Sequence, residues 1–182
     1  MNATNRQTIE DLTTGAVDLY WACFVLTGQQ HLSIEITADV VAQDYSDGFF
    51  GEWMRGWSRR IVLARALDAI RHDLAESARR TEIATDEEPC ALPVPTINED
   101  FTKTDIEEAL FDVDLFPRAA LALLVFEQMQ IADVITLLGA DAALIRKAQV
   151  IGLRRFTSHI VRKKWLPTTI GNQQSTRGSI AC

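Results

Sequence analysis

The chain has 182 residues, an apolar fraction of 47% and a formal net charge of −7. That length permits one compact domain or two small ones, and the composition can build a core. No apolar run reaches the roughly 18–20 residues of a membrane span, so a membrane partner is not expected; Leu121–Phe126 is far too short.

The opening residues MNATNRQTIEDL carry no apolar signal-peptide region, so a cytoplasmic location is expected. The pattern from Leu12 to about Arg80 is mostly helical, within a unit expected over 8–80. Leu19, Ala22, Cys23 and Leu26 share one helix face, and Gly28 supplies a stop. Ile34, Ile36, Val40 and Val41 predict a second helix, ending before the polar turn Tyr45-Ser46-Asp47-Gly48. A third helix carries Trp53, Trp57, Ile61, Ala64, Leu67 and Ile70 at helical spacing, with arginines on the other side. Trp53 and Trp57, one turn apart, read as core residues of that helix.

Periodicity dissolves over 81–103, where Pro89, Pro93 and Pro95 stand among acids. Such a run sustains neither a helix nor a central strand, and it predicts a linker between two domains. Helical pattern resumes at Asp105–Phe111, and Pro117 suits the first turn of a helix over Pro117–Gln128. Ile131, Val134, Ile135 and Leu138 then mark one face of a short helix. Gly139 breaks that pattern where a turn needs positive φ. Asp141 can cap a following helix through Leu144, Ile145, Ala148 and Gly152 toward Lys164, which Pro167 stops. Helix, glycine turn and capped helix predict a helix-turn-helix within a unit over 104–165, followed by a disordered tail over 166–182. No strand pattern is present, and the expected fold is all-α.

Charge is segregated along this framework. Between Glu82 and Asp114 eleven carboxylates face Lys103 alone, whereas between Asp141 and Trp165 seven bases face only Asp141. A second basic cluster, Arg55, Arg59, Arg60, Arg65 and Arg71, stands against Asp68. Two basic helical segments around an acidic middle point to a polyanion partner despite the negative total; solvated helix faces are the alternative.

In order and spacing, these features resemble the extracytoplasmic-function type of bacterial sigma-70-family factors, over nearly the whole chain except the tail. Leu137-Leu138-Gly139 and Asp141 through Phe156 follow the family's promoter −35-binding region without a gap. Leu26-Thr27-Gly28 matches a common helix end in its −10-binding region, and Glu35-Ile36-Thr37-Ala38-Asp39 stands where the family has its acidic polymerase-clamp motif. Trp57 to Arg71 follows a further family helix, with Ile61, Asp68, Ile70 and Arg71 in place and Ala64 where an asparagine is customary.

The resemblance implies a binding function with no cofactor. Glu35 and Asp39 would dock on a basic coiled coil of the polymerase β′ subunit. Phe49, Phe50, Arg55, Arg59 and Arg60 would receive the opened −10 strand, aromatic rings stacking on bases and arginines following phosphates. Asp141, Leu144, Arg146, Lys147, Arg154 and Arg155 would line the −35 duplex, with Arg146 and Lys147 keeping groove-compatible chemistry. An anti-sigma protein is a further partner the resemblance admits.

Departures from the family keep two other readings open. Leu144, Val150 and Ile151 are apolar where the family is polar, and Gly152 costs about 1 kcal/mol of helix propensity against Ala. A sigma-like protein-interaction module, or a helix-turn-helix regulator that no longer reads promoters, would carry the same framework. An enzyme is not expected: there is no Gly-rich phosphate loop, nucleophile elbow or H-E-x-x-H motif. His31, His72 and His159 have no metal-ligand spacing, and Cys23, Cys90 and Cys182 read as buried or free thiols.

Overall fold

A computed structural model describes residues 3–44, 51–84 and 102–165, and every regular element among them is helical. The helices are α1 (Ala3–Thr27), α2 (Gln30–Asp44), α3 (Gly51–Ala69), α4 (Arg71–Ile83), α5 (Lys103–Phe111), α6 (Leu115–Leu121), α7 (Ile131–Leu138) and α8 (Ala142–Trp165). A π-helical turn, Ala122–Phe126, extends α6. No described helix is long and apolar enough to cross a membrane. Most of the acidic linker, the polar turn after α2, the tail, and with them Phe49 and Phe50, lie outside the described residues.

The breaks between helices have local causes. Gly28 takes φ +66 and ends α1, as its freedom from a Cβ allows. Beside it, Thr27 Oγ1 donates to the Cys23 carbonyl and lies 2.8 Å from Ser33 Oγ, a buried hydroxyl pair that fastens α2 to the end of α1. The basic helix expected to continue through Ile70 is interrupted there, and α4 starts at Arg71. Thr102 and Asp105 form a reciprocal capping box at the start of α5. The helix expected over Pro117–Gln128 stops short. Glu127 N–H bonds back to Ala122 O, one residue beyond an α-helical partner, and Gln128 turns to φ +51.

Apolar side chains from both parts of the chain form one buried cluster. Cys23, Leu26, Val40, Val62 and Leu67 meet Phe116, Leu123, Val134 and Ile145 within it. Helix α6 is the hub, packed against α8 most extensively and also against α1 and α4. Six consecutive α6 residues from Phe116 to Leu121 are buried, which fits a helix apolar on every side except at Arg118.

Gly152 sits at a close approach of α8 to α6. A Cβ there would stand 2.8 Å from the Pro117 carbonyl oxygen and 3.3 Å from its carbon. The residue that weakens α8 as an isolated helix is the one that admits α6 against it.

At the periphery, Lys163 Nζ bridges Asp105 and Glu108 at 2.7 and 2.6 Å, tying the end of α8 to α5. The Lys163 and Thr102 hydrogen bonds hold the Asp105 carboxyl well below the usual carboxylate range. Phe111 meets Phe24 edge to face with ring centres 5.1 Å apart, and the Lys103 ammonium lies 3.5 Å over the Trp21 ring; both contacts join α5 to α1.

Candidate nucleic-acid interface

Helix α7, Gly139 and α8 take the local geometry their sequence predicts. Gly139 is left-handed at φ +63, ψ 30, and its N–H bonds to the Ile135 carbonyl. Asp141 Oδ1 accepts from the Leu144 N–H at 2.8 Å, capping α8. Val134, Ile145 and Ala148 are buried and lock the two helices together.

That packing fixes which side of α8 faces outward. Ala143, Arg146, Val150 and Leu153 follow one another at helical spacing and are all exposed. Arg146 makes no ion pair among the described residues. Val150 and Leu153 expose 65% and 48% of their surface. The outer face is therefore mostly apolar, with a single guanidinium.

The other expected −35 contacts are distributed differently. Leu144 turns inward and packs against the apolar cluster, because its neighbours Ile145 and Ala148 face the core. Lys147 reaches sideways, its Nζ donating to the Glu82 carbonyl at 2.9 Å in the last turn of α4. That turn carries the negative end of the α4 dipole. Arg154 is half-buried and engaged with other groups, and Arg155 is exposed on the side facing α4. The structure thus leaves Arg146 on the outer face and draws Leu144 and Lys147 into packing and tethering.

The basic side of α3 is engaged too. Arg59 forms a fork with Glu127, Nε to Oε2 at 2.5 Å and Nη2 to Oε1 at 2.6 Å. That hydrogen-bonded pairing raises the Arg59 pKa above its ordinary value against the opposing effect of burial. Arg60 lies 3.4 Å from Asp133 in the first turn of α7. Two of the three arginines expected at the −10 strand are thereby tied to carboxylates of the C-terminal part. The Arg55 backbone belongs to α3, and its side chain lies outside the described residues.

On α2, Ile36 and Val40 are buried while Glu35 and Asp39 are exposed on the opposite side, one turn apart. His31 approaches Glu35 at 3.9 Å. Trp57, expected in the core, is 58% exposed; the buried face of α3 is carried by Val62, Leu63, Ala66 and Leu67 instead. Cys23 is fully buried, and burial pushes its thiol pKa up, so it is a packing residue and not a nucleophile.

A cavity of about 550 Å³ lies between the end of α4, the α5–α6 turn and α8. Arg80, Arg118 and Arg155 line it together with Phe111, Pro117 and Ile151. Asp114 is the hinge of its polar wall. Its carboxylate accepts a fork from Arg80 at 3.0 and 3.1 Å and a 2.8 Å bond from Ser77 Oγ, which itself accepts from Phe116 N–H at 2.7 Å. Burial works to raise the Asp114 pKa, but the bonds from Arg80, Ser77 and the Leu115 N–H outweigh it and leave it lowered. Of the residues lining the cavity, the sequence singles out Arg155 for binding, and for a different role. Its one signal was Arg118, a lone charge within the apolar run from Leu115 to Phe126.

The fold and this surface define an all-α protein that carries a helix–turn–helix unit with Arg146 exposed on the outer face of its second helix. Comparison with protein-family models, curated proteins and solved structures found no match.

Proposed function

We propose that the chain is a sigma-factor-like transcription initiation protein that binds RNA polymerase core and directs it to promoter −10 and −35 DNA. The observation that carries this reading is the α7–α8 unit: a left-handed Gly139, the Asp141 cap, and Arg146 exposed on the outer side of α8 without an ion pair among the described residues. A guanidinium so placed suits guanine O6/N7 or backbone phosphate in a major groove. Glu35 and Asp39, exposed together on α2, offer charge-assisted bonds to arginines of the polymerase β′ coiled coil.

Engaging the −10 strand has a structural consequence in this reading. Arg59 and Arg60 must exchange Glu127 and Asp133 for strand phosphates, so α3 parts from α7 and the π-helical turn as DNA is bound. The acidic linker would keep the two parts within reach of each other at two promoter elements.

Core-enzyme capture with the full chain tests the polymerase-binding step. The wild type is expected to be retained by core, and Glu35→Lys with Asp39→Lys to be retained at least tenfold less, as two charge-assisted contacts become repulsive. Equal retention of both, or of neither, would refute docking through α2.

One observation favours a second reading. Val150 and Leu153 occupy the outer face of α8 where a groove-reading helix carries polar groups. A sigma-like module that contacts a protein through this face would use them directly. The two readings differ in salt response. Phosphate contacts make binding fall steeply with salt, whereas an apolar protein interface does not. Arg146→Ala is expected to weaken −35 duplex binding and flatten its salt slope; an unchanged slope favours the module.

A further inference from the structure

Independently of promoter recognition, we propose that the cavity between α4, the α5–α6 turn and α8 binds a small organic anion, a carboxylate or phosphoryl head on an apolar body, with Arg118 and Arg155 as its charge partners.

Arg118 is the starting point. Only 8% of its surface is exposed, and its Nε has no hydrogen-bond acceptor among the described residues. The face of Phe111 lies against it, 5.0 Å from the guanidinium carbon to the ring centre. An aromatic face attracts the cation but accepts none of its N–H bonds in the plane. Burial lowers its pKa and the nearby Asp114 charge opposes that, yet arginine stays protonated in proteins. A buried guanidinium that keeps its charge and has no carboxylate within ion-pair distance among the described residues is suited to a counter-ion from outside the fold.

The neighbouring acids are already committed. Asp114 is saturated by the Arg80 fork and Ser77, and Asp112 lies 3.3 Å from His159. Arg155 lines the same cavity, is exposed, and has no ion pair among the described residues. The site therefore retains surplus positive charge after its own acids are counted. Elsewhere the close arginine–carboxylate groupings are matched internally, as at Arg59 with Glu127 and Arg71 with Asp68.

The remaining walls set the shape of the ligand. Phe111, Val113, Pro117 and Ile151 are apolar, which suits a body that is itself apolar beneath a charged head. A volume of about 550 Å³ falls within the range that holds small molecules. Planar carboxylates and tetrahedral phosphoryl groups both accept the guanidinium fork, so head chemistry is common to the two.

Titration of the full chain, followed by thermal unfolding and calorimetry, separates the possibilities. The probes are benzoate, phenyl phosphate, neutral benzamide and inorganic phosphate. Benzoate or phenyl phosphate is expected to bind saturably and raise Tm, with the stronger of the two assigning the head group. Benzamide and inorganic phosphate, lacking the charge or the body, are expected to bind at least about tenfold more weakly. Arg155→Gln, an exposed change compatible with folding, is expected to weaken the anion about tenfold through loss of one charge-assisted contact. Arg118→Met is expected to abolish the anion-dependent rise in Tm while leaving the ligand-free Tm unchanged or higher. Absence of saturable binding, binding of benzamide as tight as benzoate, or an anion response unchanged in Arg155→Gln would overturn the assignment.

Discussion

Replacing Gly152 with alanine pits two effects of known size against each other. In an open helix the change favours folding by about 1 kcal/mol, because alanine loses less backbone entropy than glycine. At position 152 the added methyl meets the Pro117 carbonyl oxygen at 2.8 Å and carbon at 3.3 Å, with Leu121 Cβ at 3.5 Å. Two of those neighbours are backbone atoms of α6, which cannot swing aside as a side-chain tip does. Overpacking of this kind costs about 1–3 kcal/mol, so after the propensity gain the net expectation is destabilisation by up to about 2 kcal/mol. Gly15 in α1 supplies the control, since a Cβ there meets nothing within 4 Å. Gly15→Ala is expected to stabilise by about 0.5–1 kcal/mol. Urea unfolding of both variants, read as a shift of midpoint at constant m, measures the difference. If Gly152→Ala is as stabilising as Gly15→Ala, α8 does not pack against α6 as described.

Three further outcomes follow from the polar contacts. Ser77→Ala removes the acceptor of the buried Phe116 N–H and a donor to Asp114, and should cost about 1–3 kcal/mol in the same assay. Arg59→Ala, Glu127→Ala and the double variant should show a coupling of about 1–2 kcal/mol, above that of a typical exposed pair; simple additivity would mean that the fork contributes nothing. The folded pKa of Asp114 lies below its unfolded value, so its contribution is present above the ordinary carboxylate pKa of 3.8 and is lost as pH falls through the lower folded value. Asp114→Asn should therefore flatten the acid limb of stability between about pH 5 and pH 2, and an unchanged limb would count against the Arg80–Asp114–Ser77 contact.

What could be read from the sequence was local. The periodicity of α7, the positive φ of Gly139 and the Asp141 cap each depend on residues within one or two turns, and each is found as expected. What escaped depends on partners far along the chain. Leu144 and Lys147 fit a DNA-facing pattern when α8 is considered alone. Leu144 turns inward because its side of the helix meets the shared cluster, and Lys147 is claimed by the carbonyl end of α4, 65 residues earlier. Arg59 finds Glu127 across 68 residues, a pairing that spacing cannot express. Gly152 weakens α8 taken alone, and its reason lies in α6 packed against it. The period of α3 predicts a core position for Trp57, but the buried stripe runs through Val62 and Ala66. Arg118 shows the reverse case: a charge inside an apolar run was visible in the sequence, and only the fold reveals that it lines a cavity.

Transcription by purified polymerase core on a library of genomic fragments tests the central reading most directly. Added chain should yield transcripts from discrete start sites that core alone does not produce, with Arg146→Ala reducing their yield. Tight association with core and no chain-dependent transcripts from any fragment would contradict promoter recognition and leave the protein-contact module in its place.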